Sequence, residues 1–214
     1  MTIKPIRWVG AAREEIQSLP DDARKEAGFA LWTLQQGAQP SDFKPMSIVG
    51  KGVEEIRIRT GNAYRIFYIA RFEEAIYVLH AFQKKTQKTA KKKYRNWTKT
   101  LPTVVTKSLK FKRTQTMSEN LITQAADNIF LDLGFSAEEA ENLLIRSQLI
   151  LALQNQIKAR NWTIEQTAQH LQQSTDRIQA LTQGKIEKFS VDTLIAMLDR
   201  VGMTVKIEIC PKVA

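Results

Sequence analysis

The sequence predicts an α+β domain followed by an all-α domain. Three observations carry this. The apolar period is near two residues from about 54 to 83 and near 3.6 residues from about 136 onward. Charge changes along with it: residues 1–116 hold 23 Lys+Arg against 10 Asp+Glu (+13), whereas residues 117–214 hold 9 against 12 (−3). Between the two regimes, residues 98–120 (TKTLPTVVTKSLKFKRTQTMSEN) follow neither period and set Pro102 among Thr, Ser and Lys, as a linker does. The expected division is a domain at 1–98, a linker at 99–120 and a second domain at 121–214.

IKPIRWV reads as a first strand. AAREEIQSLP is a short helix stopped by Pro20. The next helix, DDARKEAGFALWTLQQG, has Asp21 or Asp22 as its expected N-cap, Ala23, Ala27, Ala30, Leu31 and Leu34 at helical spacing, and Gly37 as its stop. PSDFKPMSIVGKG is punctuated as a loop. In VEEIRIRT, Ile56 and Ile58 point one way while Glu55, Arg57 and Arg59 point the other. GNAYRIFYIARF and EAIYVLHAFQ are rich in the aromatic and β-branched residues that strands favour, with TGNA as the hairpin turn. A lysine-rich helix from about Thr89 to Lys99 closes the domain, giving the order β-α-α-β-β-β-α around an antiparallel sheet.

The second half reads as helices with identifiable starts. Ser136 with Glu139, and Thr163 with Gln166, have capping-box spacing. Ser174 and Ser190 are N-caps, and Gly184 and Gly202 follow helix ends. In the tail TVKIEI, Val205, Ile207 and Ile209 alternate with Lys206 and Glu208, which predicts a terminal β-strand.

Composition limits the function classes. No apolar run approaches about 18 residues, so no transmembrane helix is expected, and MTIKPIRWVG lacks the apolar core of a signal peptide. A single cysteine, Cys210, permits no internal disulfide. The expected location is the cytoplasm, with no membrane partner, no metal and no cofactor. A +13 half-chain calls for a polyanion. Its cations are ordered: Arg57 and Arg59 share a sheet face, Arg65 follows the hairpin, and Lys84, Lys85, Lys88, Lys91, Lys92, Lys93 and Arg95 come straight after His80. Such a run would hold nucleic acid or another polyanion without reading sequence, unless it is only a solvated helix face.

Two short helices, about 164–171 and 175–183, flank Gln172–Gln173–Ser174. Ala168 permits a close crossing, and Leu171, Ile178 and Leu181 lock it, which is a helix-turn-helix pattern. On the second helix Thr175, Asp176, Gln179 and Gln183 point outward toward base edges, Lys185 and Lys188 toward phosphates, and Ser174 at the helix start is also expected to bind DNA. TQGKIEKFSVDTLIAMLDRVGMTVKIEI resembles the HigA-like antitoxin subclass of Cro/XRE-type repressor domains over about 130–210, with Gln172 and Gln173 where the usual turn glycine and following apolar residue stand. The resemblance implies operator binding and a homodimer formed through this domain.

FKPM, GVEEIRIR, YRIFYIA and YVLHAFQKKTQKT resemble the phage-derived HigB-like branch of the RelE/HigB-type toxins over about 3–97. That resemblance implies a ribosome-dependent endonuclease of mRNA in which the RNA 2′-hydroxyl attacks the neighbouring phosphate. The family's functional cations map onto Arg57, Arg65 and Lys84 or Lys85, and its terminal-helix aromatic onto Tyr94. His80 or Tyr94 would handle the proton, with Glu54 and Glu55 as other base candidates; His80, on the strand face of Ile76, Val78 and Phe82, reads equally well as a core residue. Arg59, Lys88, Lys91, Lys92, Lys93 and Arg95 would bind RNA. Together the halves imply a toxin–antitoxin fusion whose parts bind in cis or in trans, with Ile129, Phe130, Leu133 and Phe135 as the toxin-neutralising contacts. The alternatives are a DNA-binding regulator with an inactive toxin-like domain, and an interaction scaffold.

Overall fold

The chain enters through β1 (Ile6–Val9), turns at Gly10 into the short helix α1 (Ala12–Gln17), and continues into α2 (Asp21–Gln35). Helix α2 starts at Pro20 with no side-chain cap, rather than at Asp21 or Asp22; Pro pre-sets the backbone, and Asp22 Oδ1 accepts from the Ala23 amide. A three-residue strand, β2 (Phe43–Pro45), follows in the segment expected to be a loop. Then comes the meander β3 (Glu54–Thr60), β4 (Asn62–Ile69) and β5 (Ile76–Gln83), joined at the first hairpin by Gly61 at φ 75°, a conformation open chiefly to glycine. The computed structural model describes residues 3–85 and 122–208. The expected helix near 89–99 with Lys88, Lys91, Lys92, Lys93, Tyr94 and Arg95, the linker 99–120, Ile209 and Cys210 all lie outside the described residues.

The sheet has six strands in the order β2-β3-β4-β5-β1-β6, where β6 is Ile122–Gln124. It is mixed rather than antiparallel. The two-helix crossover returns the chain so that β1 runs parallel to β5, with Ile6 beside Ile76 and Trp8 beside Val78. The short edge strand β2 tolerates Pro45 because an edge position leaves one side without ladder partners. Strand β6 adds antiparallel to β1, pairing Trp8 with Thr123. A half expected to be all-helical until its tail thus contributes a strand to this sheet.

By their contacts the residues group into two compact units, Met1–Leu143 and Leu144–Ala214. In the first, Ile56, Ile58, Ile66 and Ala81 are buried on one sheet face, with α2 packed on β3 and α1 on β5. A second cluster of Val49, Val53, Phe67, Ile69, Tyr77, Leu79 and Phe82 forms another part of the core. Helix α3 (Ile129–Asp132) packs on α2. Helix α4 (Ala137–Ala159) begins in the first unit and runs into the second. No helix among the described residues is long and apolar enough to cross a membrane.

The second unit continues with α5 (Ile164–Leu171), α6 (Thr175–Thr182), a 3-10 turn at Ile186–Lys188 and α7 (Val191–Arg200). Thr163 and Gln166 form the capping box the spacing implies, and Ser174 and Ser190 cap α6 and α7. Leu171, Ile178, Leu181, Phe189, Leu194 and Met197 are buried together with Ile150 and Leu153. The tail differs from expectation: residues 203–208 form no strand, since alternation alone supplies no ladder partner and Ile207 is 75% exposed.

The turn between α5 and α6 is kept without glycine. Gln172 takes φ 50° and ψ 49°, and the Gln173 amide donates to Ala168 O at 3.0 Å. A left-handed residue with a Cβ costs about 1–2 kcal/mol, partly returned by glycine's greater unfolded-state entropy. Gln172→Gly is therefore expected to stabilise by about 0.5 kcal/mol, read as a small rise in Tm; a fall would show that the glutamine side chain contributes more than its backbone strain costs.

Candidate functional site

The β3–β4 register sets Arg57 directly opposite Arg65 and Arg59 opposite Ala63, and β5 sets Phe82 opposite Arg65. Paired residues share a face, so these side chains lie on one side of the sheet. The Lys84 amide extends the ladder to Ala63 O at 2.7 Å, placing Lys84 at the same end. Like charges facing across strands repel, and Glu55 offsets this. Its carboxylate meets Arg65 Nε at 2.8 Å and Arg57 Nε at 3.5 Å, while Asp42 meets Arg57 at 3.7 Å and Arg59 at 3.2 Å. Arg65 and Glu55 are both buried, and an Arg65 Nη also donates to its own strand at Tyr64 O. Arg57 and Lys84 are half-buried, and Arg59 and Lys85 are exposed.

His80 reaches this face through an irregularity the sequence did not reveal. Register shifts between Phe67 and Tyr68: Phe67 pairs with His80, but Tyr68 pairs with Val78. The bulge takes His80 off the side of Ile76 and Val78 and puts it with Phe67 and Phe82, stacked on Phe82 at 5.3 Å. Strand β1 last pairs with β5 at Val78, so β5 has an open edge beyond that point. Glu15 of α1 fills it: one carboxylate oxygen accepts the Ala81 amide at 2.8 Å and lies 2.6 Å from His80 Nδ1. Sequence reading missed Glu15, which sits 65 residues away in a helix with no motif.

The four expected docking residues converge on the first unit. Ile129, Phe130, Leu133 and Phe135 are all buried. Phe130 lies over Gly28 in mid-α2: a Cβ there would stand 2.3 Å from Phe130 Cε1 and 3.2 Å from a Leu133 methyl. Arg24 stacks over Phe135 at 4.7 Å and donates to Leu133 O, and Lys25 pairs with Glu139 at 3.1 Å. Lys25 also bonds Asp21; burial opposes its charge, but the two carboxylates outweigh that and hold its ammonium above the usual lysine range.

Asp132, which the sequence did not single out, is the polar centre of this docking. Its buried carboxylate accepts from Trp8 Nε1 at 3.0 Å and from the Ala126 amide at 2.9 Å, and pairs with Arg13 at 3.5 Å. Its backbone oxygen takes Arg13 Nε and Gln17 Nε2. A charge removed from water is stable only when so satisfied. These contacts fall on β1, α1 and α2, whereas the arginine face belongs to β3 and β4.

In the second unit Ser174, Thr175, Asp176, Gln179 and Gln183 are exposed and Lys185 is half-buried. Thr175, Asp176, Gln179 and Gln183 fall within one helical face, while Ile178 and Leu181 turn inward. Ser174 Oγ accepts the Arg177 amide, so its first duty is to cap α6.

Residues 14–100 match the family described as Phage derived protein Gp49-like (DUF891), and residues 129–210 match the one described as Helix-turn-helix domain. No curated protein and no solved structure matches the chain.

Proposed function

We propose that the chain, with its Gp49-like match ahead of its helix-turn-helix match, is a toxin–antitoxin fusion with a RelE/HigB-like, ribosome-dependent mRNA endonuclease as its first half. The second half neutralises that activity, binds operator DNA as a homodimer and represses its own operon. By origin the chain divides into 1–98, 99–120 and 121–214, although residues 122–143 pack with the first unit. The observation that carries the reading is the register that gathers Arg57, Arg59, Arg65, Lys84 and His80 on one sheet face.

The chemistry follows from that face. The RNA 2′-oxygen attacks the adjacent phosphorus, the O2′–P bond forms, and the P–O5′ bond breaks. A base takes the 2′ proton and an acid supplies the 5′-oxygen. Charge that builds on the phosphorane oxygens is met by Arg57 and Lys84. Arg65, committed to Glu55, holds Arg57's side of the sheet in place. His80 or Tyr94 handles a proton, Lys85 assists at the phosphate, and Arg59 with Lys88, Lys91, Lys92, Lys93 and Arg95 grips ribosomal RNA. No metal or cofactor takes part.

The test compares growth. The intact chain should inhibit weakly and residues 1–100 strongly, and Lys84→Ala in the fragment should relieve the arrest. Equal inhibition by fragment and intact chain counts against neutralisation in cis. At the other end, Gln179→Ala should weaken operator binding by about 1–3 kcal/mol, roughly 5- to 150-fold, if it reads a base edge. Lys185→Ala should instead lower the salt dependence by about one phosphate's worth.

One observation favours a second reading, a DNA-binding regulator with an inactive toxin-like half: Glu55 and Asp42 neutralise much of the arginine face. Operator binding without cleavage by any fragment would support it.

A further inference from the structure

We propose that Glu15 is the positioning residue for His80, fixing the ring so that Nδ1 carries its hydrogen toward the carboxylate and Nε2 carries the lone pair. The inference rests on the endonuclease reading only for its catalytic consequence. Its geometry stands alone. The Glu15 Oε2 that meets Nδ1 at 2.6 Å also accepts the Ala81 amide at 2.8 Å. An oxygen already serving as an acceptor offers that nitrogen only lone pairs, so the hydrogen belongs to Nδ1. In water the neutral imidazole is free to choose either tautomer; here the adjoining backbone bond helps make the choice.

The hold is more than a single contact. Ala81 binds Glu15 where β1 has ended, so the carboxylate continues the missing strand's role at that edge. The stack on Phe82 fixes the ring's plane. Helix α1 is itself tied down on either side of Glu15, since Arg13 and Gln17 both bond Asp132 of the docked segment. A six-residue helix held by three of its side chains presents the carboxylate with little freedom. Such support is what a proton-handling imidazole needs, because the second nitrogen's role is set by the partner of the first.

The chain has two histidines, so the ring can be observed directly. The intact protein is labelled with 15N-histidine, and long-range 1H–15N correlations are recorded where both rings are neutral, with His170→Gln to assign the signals. His80 is expected to show the Nδ1–H pattern. In Glu15→Gln the atom that faces both donors can remain an oxygen, so His80 should keep the Nδ1–H pattern; in Glu15→Ala, where that acceptor is gone, it should shift toward the Nε2–H pattern while His170 stays unchanged. An Nε2–H pattern in the unmodified protein, or an Nδ1–H pattern that Glu15→Ala leaves as it was, overturns the proposal. If Glu15→Ala does not fold, Glu15→Asp, one methylene too short to serve both donors, is read by hydrogen exchange: the Ala81 amide should exchange at least about tenfold faster, and an unchanged rate sinks the idea.

Cleavage is read in the intact chain carrying Phe130→Ala, whose loosened docking segment the endonuclease reading expects to unmask activity. Adding Glu15→Ala should lower kcat about 100-fold, the scale of one proton-transfer group, with KM little changed. A tautomer switch with kcat unaltered rejects the catalytic consequence. Complete absence of cleavage before Glu15 is touched rejects the endonuclease reading instead, and leaves the ring's tautomer to decide what Glu15 does.

Discussion

Phe130→Ala in the intact chain is expected to cost about 3–5 kcal/mol, the usual range for truncating a buried aromatic, and to raise growth inhibition. Phe130 is fully buried, packs edge-on against Phe135, and occupies the one place on α2 where the helix surface is only backbone. Glycine inside a helix gives up about 1 kcal/mol against alanine, so Gly28 gives up helix stability for a notch that admits a ring. The converse variant, Gly28→Ala, gains that propensity but drives a methyl to 2.3 Å from Phe130. Overpacking of this kind costs about 1–3 kcal/mol. The pair should couple: once Phe130 is alanine, Gly28→Ala no longer clashes and becomes neutral or stabilising. Thermal unfolding measures the cycle, and limited proteolysis of 122–139 reports whether the segment has come away. Additive effects with an unchanged cleavage pattern would mean that the ring does not anchor the segment.

The same residues show what a sequence discloses. The meander was legible because alternation over Glu54–Gln83 needs no distant information, and the helix-turn-helix because caps and apolar spacing are local. Ile129, Phe130, Leu133 and Phe135 stand out as a dense apolar cluster, but nothing in the sequence singles out Asp132 among them. Gly28 carried the signal of a close approach, a lone glycine in a helical pattern, without naming what approaches. Strands β2 and β6 have three residues each, too few for a period, and exist only because neighbouring edges accept them. The bulge that turns His80 over, and Glu15's reach to it, arise from the pairing of segments far apart in the chain. Gln172 shows the reverse: the turn holds although the residue that usually signals it is absent.

Alternation puts Glu55 on the polar face of its strand with Arg57 and Arg59. It does share that face with Arg57, yet it is 3% exposed. The difference matters for every experiment on the arginine face. Glu55→Ala would leave Arg65, itself 6% exposed, without the carboxylate that meets its Nε. Breaking a buried pair by removing one partner costs about 3–5 kcal/mol, because an uncompensated charge stays in the interior. A domain's whole stability is about 5–15 kcal/mol, so this variant should melt far lower or fail to fold. Replacing both members with apolar residues of similar length, Glu55→Leu with Arg65→Met, should recover most of the loss. Chemical denaturation of the single and double variants decides it; a double variant no more stable than Glu55→Ala would show that the arginine needs its charge for another contact. A toxicity loss in Arg65→Ala is therefore assigned to chemistry only once stability is matched, because that variant takes from Glu55 the shorter of its two ion pairs with the arginines. Lys84 and Arg57, less buried than Arg65, are the cleaner probes: if the sheet face gathers phosphodiesters, their removal should abolish cleavage while leaving the melting curve nearly where it was.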